Sequence, residues 1–365
     1  MAEAVLTQRQ LNRAMLARQG LLERRPVSAI DMIERLAGIQ AQVPSNPYVA
    51  LWSRIERFDA LELNDLIAQK RAVRAATLRA TLHLHSAEDC LALQPILGSV
   101  LARTFHGQFG RQIAGSDTSA LLAAGRALML ERPRTRAELV SKLGPRFPDL
   151  DPTVLGLTVT HLLPAVQVPP RGLWRQSGQA TWALSEQFLP RLDPPRTSPY
   201  ALIERYLAAF GPATVGDART WSGLTGLREL FKRMRSRLRT FQDEQGRELF
   251  DVPEGLLPDP GLAAPPRFLP EYDNITLSHE DRTRVLAGQG PGLPFPTGSW
   301  VGTLLVDGFY RANWKVEGAV LTIDRFTPAA GDPDGTRAAI DAEGRRLLEF
   351  VSAGQDGHDV RFEPA

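Results

Sequence analysis

The chain has 365 residues, enough for two to four small modules, and its 43% hydrophobic and 23% charged content exclude a fibre or a wholly disordered polymer. Its net charge of +2 does not by itself indicate a polyanionic partner, yet lysine stands only at positions 70, 142, 232 and 315, leaving 39 arginines among 43 basic residues; this balance fits phosphate contact and fits a GC-rich genome equally. A single cysteine, Cys90, excludes an internal disulfide, the first ten residues lack a signal pattern, and no apolar run is long enough to cross a bilayer, so a cytoplasmic location is expected.

Thr7 is placed to cap a helix running to about Arg18. Ser28, with Asp31 three residues later, starts a second helix whose Ile30, Ile33, Leu36 and Ala37 keep helical spacing until Val43-Pro44. Residues 47–58 and 63–71 give two more short helices, and 77–85 alternates as a strand. The order then repeats. Helices are expected over 87–103, 119–130, 136–143 (capped by Thr135) and 152–163 (capped by Asp151), followed by strands over 173–176 and 180–184.

After a Pro-rich joint at 193–199 the order returns a third time. Helices at 199–210, from Thr214 and at 226–235 precede a hairpin of 238–241 and 249–252. Helices followed by a hairpin are the winged-helix order, in which the second helix or the hairpin meets DNA. Between 228 and 239 stand six basic residues and one acid, which favours phosphate contact over a merely solvated face. Beyond a second Pro-rich linker, 253–266, strands at 299–307, 310–317 and 319–326 and a helix at 335–351 suggest a small β-barrel or sheet domain. The expected units are therefore 1–86, 87–194, 195–262 and 263–365.

Three stretches carry a resemblance: Gln40-Ala41-Gln42 with Pro47-Tyr48 and Arg54 beyond it, Leu269-Pro270-Glu271-Tyr272-Asp273-Asn274, and Leu305-Val306-Asp307-Gly308 with Trp314-Lys315. With the repeated helix–hairpin order, the chain resembles, over nearly its whole length, the winged-helix DNA glycosylases typified by AlkZ and YcaQ. The resemblance implies an α+β fold of three tandem winged-helix units and a small C-terminal β-barrel-like domain. It also implies catalysis by Gln40 and Gln42. Glutamine at the second position is similar to the AlkZ branch, whose members remove bulky alkylpurines and are linked to self-resistance against DNA-alkylating natural products. The implied partner is duplex DNA with alkylated purines, acted on by a monomer without cofactor, nucleotide or metal.

The chemistry is consistent with those residues. A glutamine amide is neither acid nor base near neutrality, but a purine alkylated at N3 or N7 already carries positive charge and leaves without protonation. What remains is to hold water at the sugar and stabilise an oxocarbenium-like transition state, which amide oxygens do electrostatically. The structural alternative is a pair capping the helix end.

Other groups compete for a role. His83, His85 and Cys90 lack the second spaced pair that zinc requires. Glu271, Asp273 and Asp281, near His279 and Arg282, offer a general base or a set of structural ion pairs, of which the ion pairs are favoured. Gly288, Gly290 and Gly292 lie among prolines and read as a loop able to touch DNA. The expected DNA contacts are Arg54, Arg79, Arg171, Arg175, Arg233, Arg235, Arg237, Arg239, Arg311 and Lys315. The competing function is a non-catalytic winged-helix DNA-binding protein or transcription regulator; a nucleotide-dependent enzyme lacks any fingerprint here.

Overall fold

The computed structural model describes residues 4–192, 197–287, 302–324 and 333–363. Strand β1 (Val5–Leu6) leads into α1 (Gln8–Arg18), whose Thr7 cap closes a capping box with Gln10. Ser28 caps α2 (Ala29–Arg35), which stops well short of Val43. Ala37 and Gly38 take φ of +52° and +102°, ending the helix and turning the chain into β2 (Ile39–Gln40). Then come α3 (Asn46–Trp52), α4 (Ala60–Ala68), β3 (Ala72–Ala76) and β4 (Leu82–Ser86). The single strand expected at 77–85 is thus the second arm of a hairpin, joined by a tight turn at Leu78–Ala80.

Ser86 caps α5 (Ala87–Ile113), longer than expected and holding Pro95 within it. It is followed by α6 (Thr118–Glu131), β5 (Arg134–Thr135), α7 (Arg136–Leu143), α8 (Pro152–Leu162), β6 (Ala165–Val168), β7 (Thr181–Leu184) and α9 (Ser185–Phe188). The hairpin partner of β7 is β6, not the expected 173–176, which lies in the loop between β6 and β7. That loop is pinned to the first helices: Trp174 N donates to Asn64 Oδ1 at 2.8 Å, and the Tyr48 hydroxyl lies 2.9 Å from Gly172 O. Six strands form one sheet in the order β2-β4-β3-β6-β7-β5. Because β3 pairs with β6 through Arg74↔Gln167 and Ala75↔Val166, the sheet runs unbroken across the boundary expected at residue 86.

The third unit holds α10 (Pro199–Phe210), α11 (Val215–Ser222), α12 (Leu227–Met234), β8 (Arg239–Asp243) and β9 (Glu248–Asp251). Its sheet is completed by β1, parallel to β8, so the chain start belongs with this unit and not with the first.

The remainder comprises β10 (Arg267–Leu269), α13 (Asn274–Leu277), α14 (Thr283–Leu286), β11 (Gly302–Val306), β12 (Phe309–Glu317), β13 (Val320–Asp324), α15 (Pro333–Val351) and β14 (Asp359–Phe362). These five strands follow one another as β10-β11-β12-β13-β14, with the two ends unjoined among the described residues. The expected barrel is therefore an open sheet. Helix α15 supplies Ile340, Leu347 and Leu348 against Phe268, Leu304, Leu321 and Ile323, and a covered face needs no closure. The same core takes in Ile33, Leu51 and Leu63, so the first helices and the C-terminal sheet bury each other. The architecture is α+β.

Candidate active site

Gln40 lies on β2 at the edge of the six-stranded sheet, opposite His83. This is a strand, not the helix end expected for it. The Gln40 side chain is buried and Gln42 is exposed. They touch: Gln42 N–H donates to Gln40 Oε1 at 3.3 Å, and Gln42 Oε1 receives a long contact of 3.5 Å from Leu82 N. Each amide oxygen therefore keeps a lone pair for a further donor.

Three side chains clamp this segment. Asn274 accepts from Gln40 N at 3.2 Å and donates to Gly38 O at 2.7 Å, replacing the ladder that an edge strand lacks. Asn46 Nδ2 donates to Glu271 O at 2.6 Å, tying the chain beyond Gln42 to the 269–274 segment. Arg74 Nη2 donates to Ala41 O at 2.6 Å from beneath. Gly38 cannot carry a side chain here, since a Cβ would lie 2.2 Å from the His85 ring.

The two histidines behind β2 are both held by hydrogen bonds, with the buried His85 Nδ1 left without a partner. His83 Nδ1–H donates to Thr81 O at 3.0 Å and its Nε2 accepts from Arg79 at 3.2 Å, while His85 Nε2 meets Thr77 Oγ1 at 2.9 Å. Burial keeps both neutral, driving His83 well below the usual histidine value and His85 down to about 4. The Cys90 thiol is likewise buried and pushed up to about 12. Among the described residues no three His, Cys, Asp or Glu side chains gather as metal ligands.

The acidic groups of 271–281 do not cluster. Asp273 forms a buried two-armed pair with Arg54 at 2.6 and 2.8 Å, Asp281 meets Arg247, and His279 Nε2 faces Phe210 O with burial lowering it to about 3. Glu271 alone lines a cleft of about 510 Å³, together with Val43, Trp174, Arg175, Trp314 and Lys315. Burial pushes its carboxyl above the ordinary glutamate value.

The expected DNA contacts divide in the same way. Arg54, wholly buried against Asp273, cannot reach a phosphate, and Arg79 is turned inward to Trp221 O and His83, its guanidinium lowered by burial to about 10. The Arg54 assignment is corrected: that arginine holds the interior, while Arg79 is half-buried. Arg171 is half-buried and donates to Gly178 O, whereas Arg175 is exposed and donates to Val351 O and Ala353 O. Arg235 pairs with Glu248, Arg237 with Glu204 at 3.2 Å, and Arg239 covers the Phe241 ring at 4.9 Å. Lys315 meets Glu317 at 3.3 Å, and Arg233 and Arg311 are exposed. Gly288, Gly290 and Gly292 lie outside the described residues. Arg74 was missed; its signal was a lone arginine within the apolar run Ala72-Val73-Arg74-Ala75-Ala76.

The model of the AlkZ-like DNA glycosylase family matches residues 33–350, a span holding both glutamines and the 269–274 clamp. The chain belongs to this family. It is a DNA glycosylase, which sets aside the reading as a non-catalytic regulator. The chain is 26% identical to an interstrand DNA cross-link repair glycosylase of Streptomyces sahachiroi, over 93% of this chain and 94% of the relative. The solved structure of the Streptomyces sahachiroi DNA glycosylase AlkZ shares the fold, with a TM-score of 0.80 at 22% identity, covering 98% of this chain and all of that one. In this AlkZ-like glycosylase the glutamine pair, its clamp and the adjoining cleft occupy the junction of the first helices, the β6–β7 loop and the C-terminal sheet.

Proposed function

We propose that this glycosylase hydrolyses the N-glycosidic bond of N3- or N7-alkylated purines, bulky adducts included, in duplex DNA, with Gln40 and Gln42 at the reacting centre. The observation that carries the reading is the clamped amide pair, with Gln42 exposed beside Gln40 and each oxygen able to accept once more. The glycosidic electron pair leaves with the cationic base, which becomes neutral. Water attacks the sugar C1′, and its proton passes to solvent. The free lone pairs of the two amides hold that water and face the positive charge growing on the sugar. No general acid is required, since the base is already charged.

The relative named for interstrand cross-link repair supports including crosslinked purines, and the proposed setting is base-excision repair or self-resistance to a DNA-alkylating natural product. The three helix-and-hairpin units are read as winged helices on the duplex, with Arg171, Arg175, Arg233, Arg235, Arg237, Arg239, Arg311 and Lys315 toward phosphates. A cytoplasmic monomer without cofactor completes the proposal. Incubation with duplex containing N7-methylguanine, followed by chromatography of released base, tests it; no free modified base above the spontaneous rate rules the reaction out.

A further inference from the structure

We propose that the cleft beside Gln42 receives the alkylated purine itself, extruded from the duplex, and that Glu271 selects it by its positive charge and N–H groups. This rests on the reaction proposed above.

The cleft begins where the glutamine motif ends. Val43, Pro44, Ser45 and Asn46 form one wall, so the chain leaving the reacting centre passes directly along it. Its volume of about 510 Å³ lies within the range of small-ligand pockets and leaves room for a substituent on the base. Trp174 and Trp314 stand in its lining. Both are fixed. Trp174 stacks on Phe350 at 5.0 Å and packs tilted against Tyr48 at 4.8 Å, and Trp314 Nε1 is held by Leu269 O and Thr303 O. Rigid aromatic walls are what an extruded base requires to replace its lost stacking.

Glu271 is 8% exposed, and its Oε2 is buried with no hydrogen-bond partner in the protein. Its backbone carbonyl is fixed by Asn46. The two cations of the lining are already engaged, Lys315 by Glu317 and Arg175 by the carbonyls of Val351 and Ala353. A buried carboxylate oxygen without a partner is costly, and a cationic base offering N–H donors relieves that cost. An undamaged purine is neutral and relieves less of it. Discrimination follows from the charge that alkylation creates, whichever alkyl group is attached.

The charge on the base vanishes as the bond breaks, so Glu271 stabilises the bound lesion more than the transition state. It is a specificity residue. Glu271→Gln should raise the half-saturating concentration for N7-methylguanine duplex about tenfold, leaving the maximal single-turnover rate equal or higher and undamaged-duplex affinity unchanged. Loss of rate at unchanged half-saturation overturns the proposal. Equilibrium dialysis with 7-methylguanosine, a cation, and guanosine, its neutral parent, reads the cleft without any bond cleavage. The wild type should prefer the cation and Glu271→Gln should not; equal binding of both nucleosides to the wild type overturns the assignment even if base excision proceeds normally. Conversely, a wild type that prefers the cation but releases no base strikes the reaction and spares the cleft. Ser45→Trp, at an exposed lining position that makes no capping bond, guards against misfolding of the Glu271 variant. It should weaken 7-methylguanosine binding, and unchanged binding counts against the cleft.

Discussion

Arg74 donates to the carbonyl of Ala41 at 2.6 Å, and the same peptide unit carries the Gln42 N–H that reaches Gln40 Oε1. A buried guanidinium thus polarises the Ala41–Gln42 peptide link and sharpens the donor that orients the Gln40 amide.

That guanidinium is 3% exposed, its Nε and Nη1 have no partner, and no carboxylate pairs with it among the described residues. Burial lowers it to about 10. Gly172, at φ +104°, makes the space: a Cβ there would sit 3.0 Å from Arg74 Cδ. Replacing even a buried ion pair with apolar chains of similar volume is often neutral or stabilising, by up to about 4 kcal/mol, and a buried charge without a counter-ion costs more to keep. Arg74→Met is therefore expected to raise the denaturant midpoint while lowering single-turnover excision at least about tenfold. A variant that is less stable and fully active contradicts this account of Arg74.

Gln40→Ala and Gln42→Ala should each slow excision by about 10² or more, the scale for losing one preorganised polar group at a developing charge. Duplex affinity should stay within a few fold, because ground-state contacts are elsewhere. The stabilities should differ: Gln42 is exposed and its loss neutral, whereas buried Gln40 holds the Gln42 N–H and its loss costs about 1 kcal/mol. Combining both changes should cost less than the product of the single effects if the amides act as a unit. Rates at wild-type level in the double variant remove the pair from the mechanism.

The capping chemistry that the chain spells out locally was legible. Thr7, Ser28, Thr135, Asp151 and Thr214 each start the helix expected of them. What was not legible depends on distant partners. β1 is strand only because β8 lies beside it, β14 because β13 does, and 173–176 is loop because β6 takes its place. The glutamines were singled out by their motif alone, but the strand setting of Gln40 depends on positive φ at Ala37 and Gly38. Among the cations, sequence alone could not separate Arg54, which meets Asp273 across 219 residues, from arginines that face solvent.

Asp273→Asn should cost about 3–5 kcal/mol by leaving Arg54 buried against a neutral group, and Arg54→Ala should behave alike. Neither is expected to alter the salt dependence of duplex binding in protein that remains folded. Arg233→Ala and Arg311→Ala, at exposed positions, should each reduce the slope of log affinity against log salt by about one while leaving stability unchanged. Melting curves and fluorescence anisotropy at several salt concentrations separate the groups. A salt slope altered by Asp273→Asn but not by Arg233→Ala contradicts the assignment.

Three buried histidines set the acid limb of stability. His83, His85 and His279 are neutral when folded, with His85 lowered to about 4 and His279 to about 3, so the unfolded chain binds protons that the folded chain refuses. The stabilisation is complete above about pH 6.5, the ordinary histidine value, and is lost progressively as pH falls toward those lowered values. Urea midpoints should decline between pH 7 and 5, more gently in His85→Gln. A wild-type midpoint that stays constant over this range contradicts the neutral assignment.

The last expectation concerns the sugar after the base has left. Cutting the strand needs an amine that forms a Schiff base with the opened sugar, and such an amine is activated by apolar burial or a neighbouring cation. Of the four lysines, Lys70 lies over the Phe188 ring at 4.6 Å, on an exposed turn. Lys232 is exposed on α12, and Lys142 is exposed near the end of α7. Lys315 is the one that lines the cleft, yet it is 46% exposed and paired with Glu317 at 3.3 Å. The product should therefore be an intact abasic site, formed equally well in chelator. Treating damaged duplex with enzyme and borohydride should trap no adduct. A covalent complex that disappears in Lys315→Ala would show instead that the cleft lysine attacks the sugar.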